Sequence, residues 1–131
     1  MKRLRNIALF PLTVIILTAC SGMTKVKPIK SLIFSEDDYQ QATEALQEYI
    51  SDWEGITLHE ISYAGDDTVK AEAKAAGVNS DCLIVLKTNF DTDGEDHQNG
   101  LEPNHTYEDF TFTFVRDDFT MPWAHKDHGY G

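Results

Sequence analysis

An acidic stretch in the second half of the chain has the residue types of a metal site. It runs from Phe90 to Gly100, reads FDTDGEDHQNG, and contains four acids and one histidine. Clustered carboxylates repel one another and a divalent cation relieves that repulsion, so calcium binding is one hypothesis. The stretch belongs to a connection over residues 91–106 between two predicted strands. Connections of that length in compact domains are usually functional or disordered.

Compared with a calcium-binding EF-hand loop beginning at Asp91, the stretch carries oxygen-bearing side chains at ligand positions 1, 3, 5, 9 and 12. These positions are Asp91, Asp93, Glu95, Asn99 and Glu102. Position 6, where the sharp turn needs glycine, is Asp96, and the flanks are predicted strands instead of helices. The stretch is therefore not an EF-hand. Low-affinity calcium binding by loop 91–102 stays an alternative, but its Asp-Gly and Asn-Gly pairs are ordinary turn residues and favour a solvated loop.

The histidines do not form a recognisable metal-binding pattern. His97 and His105 fall in the long connection, and no pair has a ligand spacing such as H-x₃-H. On a regular final strand, His125 and Asp127 would share one face while His128 would lie on the other. We therefore assign no metal ligands and no cofactor.

Catalysis has weak support in the sequence. Tyr63, His125 or Asp127 could act as acid–base groups in a pocket, but acid–base catalysis needs a convergent pair, and no nucleophile motif such as G-x-S-x-G is present. Cys82 begins an apolar run, where cysteine usually behaves as a small buried hydrophobe. We predict no catalytic residue, and an enzyme with acid–base residues in a pocket stays an alternative.

The clearest chemical signal is a cysteine near the start of the chain. Three basic residues in the first five positions precede an apolar segment over residues 7–17. That segment is too short to span a hydrocarbon core of roughly 30 Å and is typical of a secretory signal. The quartet that follows, Leu17-Thr18-Ala19-Cys20, resembles the bacterial lipobox, in which diacylglycerol is attached to the cysteine and the signal is cut just before it. We therefore predict a signal peptide over 1–19 and a lipid anchor on Cys20, at the outer face of the cell membrane.

The net charge excludes one class of partner. The whole chain has 11 basic and 22 acidic residues, and the predicted signal removes three of the basic ones, which leaves 8 against 22 and a formal charge of −14. A domain this acidic repels phosphate backbones, so we do not expect nucleic acid as a partner. Residues 20–33 contain three lysines and no acidic residue, and they are expected to form a flexible tether.

One domain over residues 34–131 is expected to follow the tether. Ser35 and Asp38 have the spacing of a helix capping box, and an apolar stripe from Tyr39 to Trp53 predicts a long helix that Gly55 terminates. A strand over 56–63 requires a bulge near Glu60 to keep its apolar residues on one face.

The remaining elements complete an α+β domain. A short helix through Ala76 is expected after Asp66, Asp67 and Thr68, which could cap it, and Gly77 would close it. Strands are predicted at 82–90, 107–116 and 123–130, and the middle one alternates phenylalanine with polar residues. We therefore predict a long N-terminal helix packed on an antiparallel sheet of about four strands.

Several motifs also resemble those of a known group of proteins. They are Phe34-Ser35-Glu36-Asp37, Trp53-Glu54-Gly55, Pro103-Asn104-x-Thr106-Tyr107 and Asp127-His128-Gly129-Tyr130. With these motifs in this order, the chain resembles a group of uncharacterised small lipoproteins of Gram-positive bacteria that have a cystatin-like cone domain. The resemblance implies this fold and a membrane-anchored location. The expected role is non-enzymatic binding of a protein partner or a small ligand.

Overall fold

The computed structural model describes residues 24–130, so the predicted signal over 1–19 and Cys20 lie outside the described residues. The described part is an α+β domain, which confirms the predicted α+β class, and its single sheet is mixed and five-stranded where the sequence predicts about four antiparallel strands. Its elements in chain order are β1 Lys25–Val26, α1 Glu36–Ile50, β2 Ile56–Tyr63, α2 Asp66–Ala76, a 3₁₀ turn Ser80–Cys82, β3 Leu83–Thr92, β4 Thr106–Val115 and β5 Ala124–Tyr130.

Four of the strands form an antiparallel meander, and β1 adds a short parallel strand at one edge. The strand order is β1-β2-β3-β4-β5. Lys25 and Val26 pair with β2, and the Lys27 amide donates to the Ile61 carbonyl at 2.9 Å. Residues 24–27, which the sequence places in a flexible tether, are therefore attached to the sheet.

Helix α1 begins at the predicted capping box. The Ser35 hydroxyl accepts from the Asp38 amide at 3.0 Å, while the Asp38 carboxylate accepts from the Ser35 amide at 3.1 Å. The helix ends at Ile50, earlier than the apolar stripe suggested, and Trp53 lies in the following turn with its amide bonded to the Ile50 carbonyl. Gly55 then takes a φ of +79°, a left-handed conformation that glycine adopts without strain.

One face of the sheet carries most of the aromatic core. Phe110, Phe112 and Phe114 of β4 alternate with threonines and are buried together with the apolar side of α1. The predicted bulge in β2 is present between Leu58 and Glu60, and it keeps Leu58 and Ile61 in phase with their β3 partners Phe90 and Thr88.

Helix α2 lies against the other face of the sheet. An open groove is lined by Thr68 and Glu72 of α2 together with Val85, Thr111 and Thr113, whose side chains alternate with the aromatic ones. The expected side-chain cap of α2 is wrong, since Gly65 occupies the N-cap without a side-chain bond. Gly77 closes the helix in the left-handed conformation, as predicted.

Candidate functional site

Strand β5 brings two histidines together that the sequence placed on opposite faces. The pairing of β4 with β5 shifts between Thr113 and Phe114, so Lys126 is an extra residue without a partner on β4. His125 therefore pairs with Phe114 and His128 with Phe112, and both point to the aromatic face. The prediction that His125 shares a face with Asp127 and not with His128 is wrong, because a bulge reverses the alternation of side chains beyond it.

We call Tyr49, Trp53, His125 and His128 the His–aromatic cluster. The His125 ring stacks on Tyr49 with centroids 3.9 Å apart and planes 6° apart. The His128 ring meets Trp53 edge to face at 5.0 Å. His125 Nε2 and His128 Nδ1 lie 3.0 Å apart, within hydrogen-bonding distance. Two imidazoles are thus held with nitrogens facing each other at the surface.

The cluster favours an uncharged His125. Burial lowers the pKa of His125, and the nearby His128 ring lowers it further, while Asp127 acts in the opposite direction with a smaller effect. A neutral imidazole has one nitrogen lone pair free, so His125 can accept a hydrogen bond or bind a metal ion.

Asp127 lies in the groove on the other face of the sheet. The groove has a volume of about 280 Å³, and its lining includes Thr68 and Glu72 of α2 with Thr111, Thr113 and Asp127 of the two last strands. The Thr111 hydroxyl already donates to the Gly129 carbonyl at 2.9 Å. This open recess combines hydroxyls and two carboxylates, which suits a small polar or positively charged group.

The carboxylates of residues 91–102 have separate partners, and the predicted connection over 91–106 is shorter than expected, because β3 extends through Asp91 to Thr92 and β4 begins at Thr106. Asp91 accepts from His59 at 2.8 Å and from the Thr106 hydroxyl at 2.7 Å. Asp96 accepts from the Gln98 amide, within the loop itself. Within residues 24–130, no group of three or more histidine, cysteine, aspartate or glutamate side chains could hold a metal ion.

His97 holds the acidic loop against the turn after α1. Its Nε2 lies 3.0 Å from Asp93 Oδ1, and its Nδ1 lies 3.2 Å from Glu54 Oε1. The hydrogen bond with Asp93, and the charges of Asp93 and Glu54, raise the pKa of His97 above its usual value of 6.5. The ring covers Gly55, where an added Cβ would overlap with His97 Nε2. His97 therefore connects the loop to the turn through its contacts with Asp93 and Glu54, a role that sequence spacing did not reveal.

The remaining candidate groups serve the packing of the domain. The Tyr63 hydroxyl donates to Asp66 at 2.6 Å, and burial together with that carboxylate raises its pKa. Cys82 is buried, and burial with the neighbouring Asp81 raises the pKa of its thiol. Its thiol bonds only weakly to the Asp117 carbonyl, at 3.8 Å.

Tyr63, His125 and Asp127 do not form one site. The Tyr63 ring packs against Phe34 near the start of α1, whereas His125 stacks on Tyr49 near its end. Asp127 lines the groove on the other face of the sheet. The three groups that the sequence offered for acid–base chemistry are therefore not convergent.

In the described range 24–130, no helix is long and apolar enough to cross a membrane. Comparisons of the chain with family models, with curated proteins and with solved structures find no match.

Proposed function

We propose that this chain is a bacterial lipoprotein whose domain is anchored at the outer face of the cell membrane and binds a partner or small ligand there without catalysis. The observation that carries the proposal is the quartet Leu17-Thr18-Ala19-Cys20 directly after a basic and apolar leader. Two or three acyl chains on Cys20 would anchor a small domain stably, since each buried CH₂ contributes about 0.8 kcal/mol.

The proposed fold type is a cystatin-like cone. It is supported by the order of helix, strand, short helix and antiparallel meander, and by a core formed between α1 and the aromatic face of the sheet. Folds of this kind serve different functions, so the binding role needs its own argument from particular residues.

The groove between α2 and the sheet is the proposed binding surface. It is open to solvent, and its hydroxyls and the carboxylates of Glu72 and Asp127 can orient a small polar ligand. The separation of Tyr63 and His125 from Asp127 supports a non-enzymatic role.

Anchoring is tested by Cys20→Ala with Cys82→Ala as the matched control. In intact cells grown with an alkyne-labelled fatty acid, the native chain and Cys82→Ala should be labelled and sediment with membranes. Cys20→Ala should be unlabelled and leave the membrane fraction. Label on Cys20→Ala, or its retention on membranes after a high-salt wash, would refute the lipid anchor.

Binding is tested separately with a photoreactive residue at position 72 in the groove and, as control, at position 40 on the exposed side of α1. On intact cells, a ligand or partner in the groove should give a discrete adduct from position 72 alone. Equal adducts at both positions, or none at position 72, would contradict the choice of the groove.

A further inference from the structure

The His–aromatic cluster presents two imidazole nitrogens that face each other. His125 Nε2 and His128 Nδ1 lie 3.0 Å apart on the same face of β5, as a direct result of the bulge at Lys126. When both rings are neutral, one N–H donates across this gap to the other ring. The same two nitrogens can instead both bind one ion once the donating ring carries its proton on its other nitrogen, which leaves each ring neutral with one N–H.

The spacing is close to that of a chelate. Nitrogen ligands at about 2.0–2.1 Å from a tetrahedral ion are about 3.3 Å apart, so the distance between the two nitrogens needs to grow by only a few tenths of an ångström. The rings must also turn, because their hydrogen bond lies along the line between the nitrogens, whereas both lone pairs must point to the bound ion. Contacts already restrict both rings, that of His125 by its stack on Tyr49 and that of His128 by Trp53. Binding therefore costs less side-chain freedom than it would for two freely rotating histidines.

The chemistry of the donors selects the type of ion. Imidazole nitrogens suit copper, nickel and zinc, and the affinity order of divalent ions peaks at Cu²⁺. Calcium and magnesium prefer oxygen ligands and are not expected to bind here. His128 is exposed, so an ion and its water ligands can approach from solvent, and the acidic chain attracts cations.

We propose that His125 and His128 form a two-histidine binding site for a late first-row divalent ion of the Cu²⁺ type, with water in the remaining positions. The two rings lie on the aromatic face of the sheet, although His128 also lines the groove that contains Asp127, and the site does not depend on the lipid anchor.

Trp53 provides the readout, because its ring lies 5.0 Å from His128 and Cu²⁺ quenches tryptophan fluorescence at short range. The full chain, purified in detergent without a histidine tag, is titrated with Cu²⁺. Saturable quenching is expected, and Trp53→Phe should remove most of it while the second tryptophan, Trp123, remains. Mg²⁺ at the same concentrations should give no change.

Ligand identity is tested by His125→Phe, which keeps an aromatic ring over Tyr49, and by His128→Asn at an exposed position. Each should weaken Cu²⁺ binding by at least about tenfold, since loss of even a supporting contact to a metal ligand costs about 10–100-fold. The control His97→Asn should bind as the native chain does. Electron paramagnetic resonance of the Cu²⁺ complex should show coupling to two imidazole nitrogens.

The proposal is overturned if Cu²⁺ causes no saturable quenching up to millimolar concentration. It is equally overturned if the His125→Phe and His128→Asn titrations superimpose on that of the native chain. Circular dichroism confirms that each variant is folded. Because His128 is exposed, His128→Gln provides a second variant that leaves the core intact.

Discussion

Replacing Arg116 with methionine should lower the free energy of unfolding by about 2–4 kcal/mol. Arg116 directly follows β4, and its guanidinium contacts three parts of the fold. Its Nη1 lies 3.2 Å from Asp38 Oδ1 in the first turn of α1, and its Nε donates to the Asp81 carbonyl at 3.0 Å. It also lies 4.1 Å from the centroid of Trp123.

The magnitude follows from burial. The Arg116 side chain is 2% exposed, and removing one partner of a fully buried pair costs about 3–5 kcal/mol. Asp38 is 27% exposed, so water can hydrate the carboxylate that the substitution leaves behind, which reduces the cost. Methionine fills much of the same volume and limits any cavity. A loss of this size corresponds to a Tm lower by about 8–32 °C, at about 4–8 °C per kcal/mol in a small domain.

The assay is urea unfolding followed by circular dichroism, with Lys27→Met as the matched control. Lys27 forms an ion pair with Glu60 at 3.6 Å, but its side chain is 49% exposed, so its loss should cost less than about 1 kcal/mol. If Arg116→Met costs no more than Lys27→Met at an unchanged urea dependence, the reasoning from burial is refuted.

The pH dependence gives an independent check of the same pair. Burial raises the pKa of Asp38, but the hydrogen bond from the Ser35 amide and the Arg116 guanidinium outweigh it, so the pKa lies below its usual value. The ionised Asp38 carboxylate therefore stabilises the fold above about pH 3.9, the pKa of aspartate in the unfolded chain. This stabilisation is lost as the pH falls through the lower pKa that Asp38 has in the folded chain. The difference between the native chain and Arg116→Met should narrow below about pH 4.

Three further predictions concern His97, the neighbouring Gly55 and the buried thiol of Cys82. In an NMR titration, His97 should have a pKa above 6.5, and Asp93→Asn should lower it; the stability given by His97 is present below its unfolded pKa and is lost as pH rises through the folded one. Gly55→Ala should cost about 1–3 kcal/mol in urea unfolding, because φ is +79° and the new Cβ meets the His97 ring; Gly100→Ala, whose Cβ meets nothing, is the control for φ alone. In a Cys20→Ala chain, Cys82 should react with a thiol reagent far more slowly when folded than in urea, and equal rates would contradict its burial.

Local signals in the sequence predicted much of the fold. The capping box at Ser35 and Asp38 needs only residues three apart, and the bulge near Glu60 follows from a change of apolar phase within one strand. Each of these features is determined by neighbours in the chain, so propensity and periodicity are sufficient to identify it.

The features that the sequence did not predict depend on distant residues. Strand β1 forms because Lys25 and Val26 pair with the edge of β2 that β3 leaves open, more than thirty residues away in the chain. The sequence offers Asp66, Asp67 and Thr68 as caps of α2, but the Asp66 carboxylate accepts from the Ser31 hydroxyl and the Leu32 amide instead. A side chain with two possible partners takes the one that tertiary packing brings near, and spacing alone does not identify it.

The bulge at Lys126 is the feature on which the surface chemistry of β5 depends. A regular strand would have placed His125 with Asp127 on one face and His128 on the other. The extra residue instead directs both imidazoles to the aromatic face and Asp127 to the groove beside α2. In β2 the apolar residues change from one face to the other along the strand, and this change reveals the bulge. The last strand consists mainly of polar and charged residues, so periodicity could not locate the bulge at Lys126. The residues that carry the proposed metal site are thus identified by the pairing of β5 with β4, and a one-residue change in that pairing would separate them.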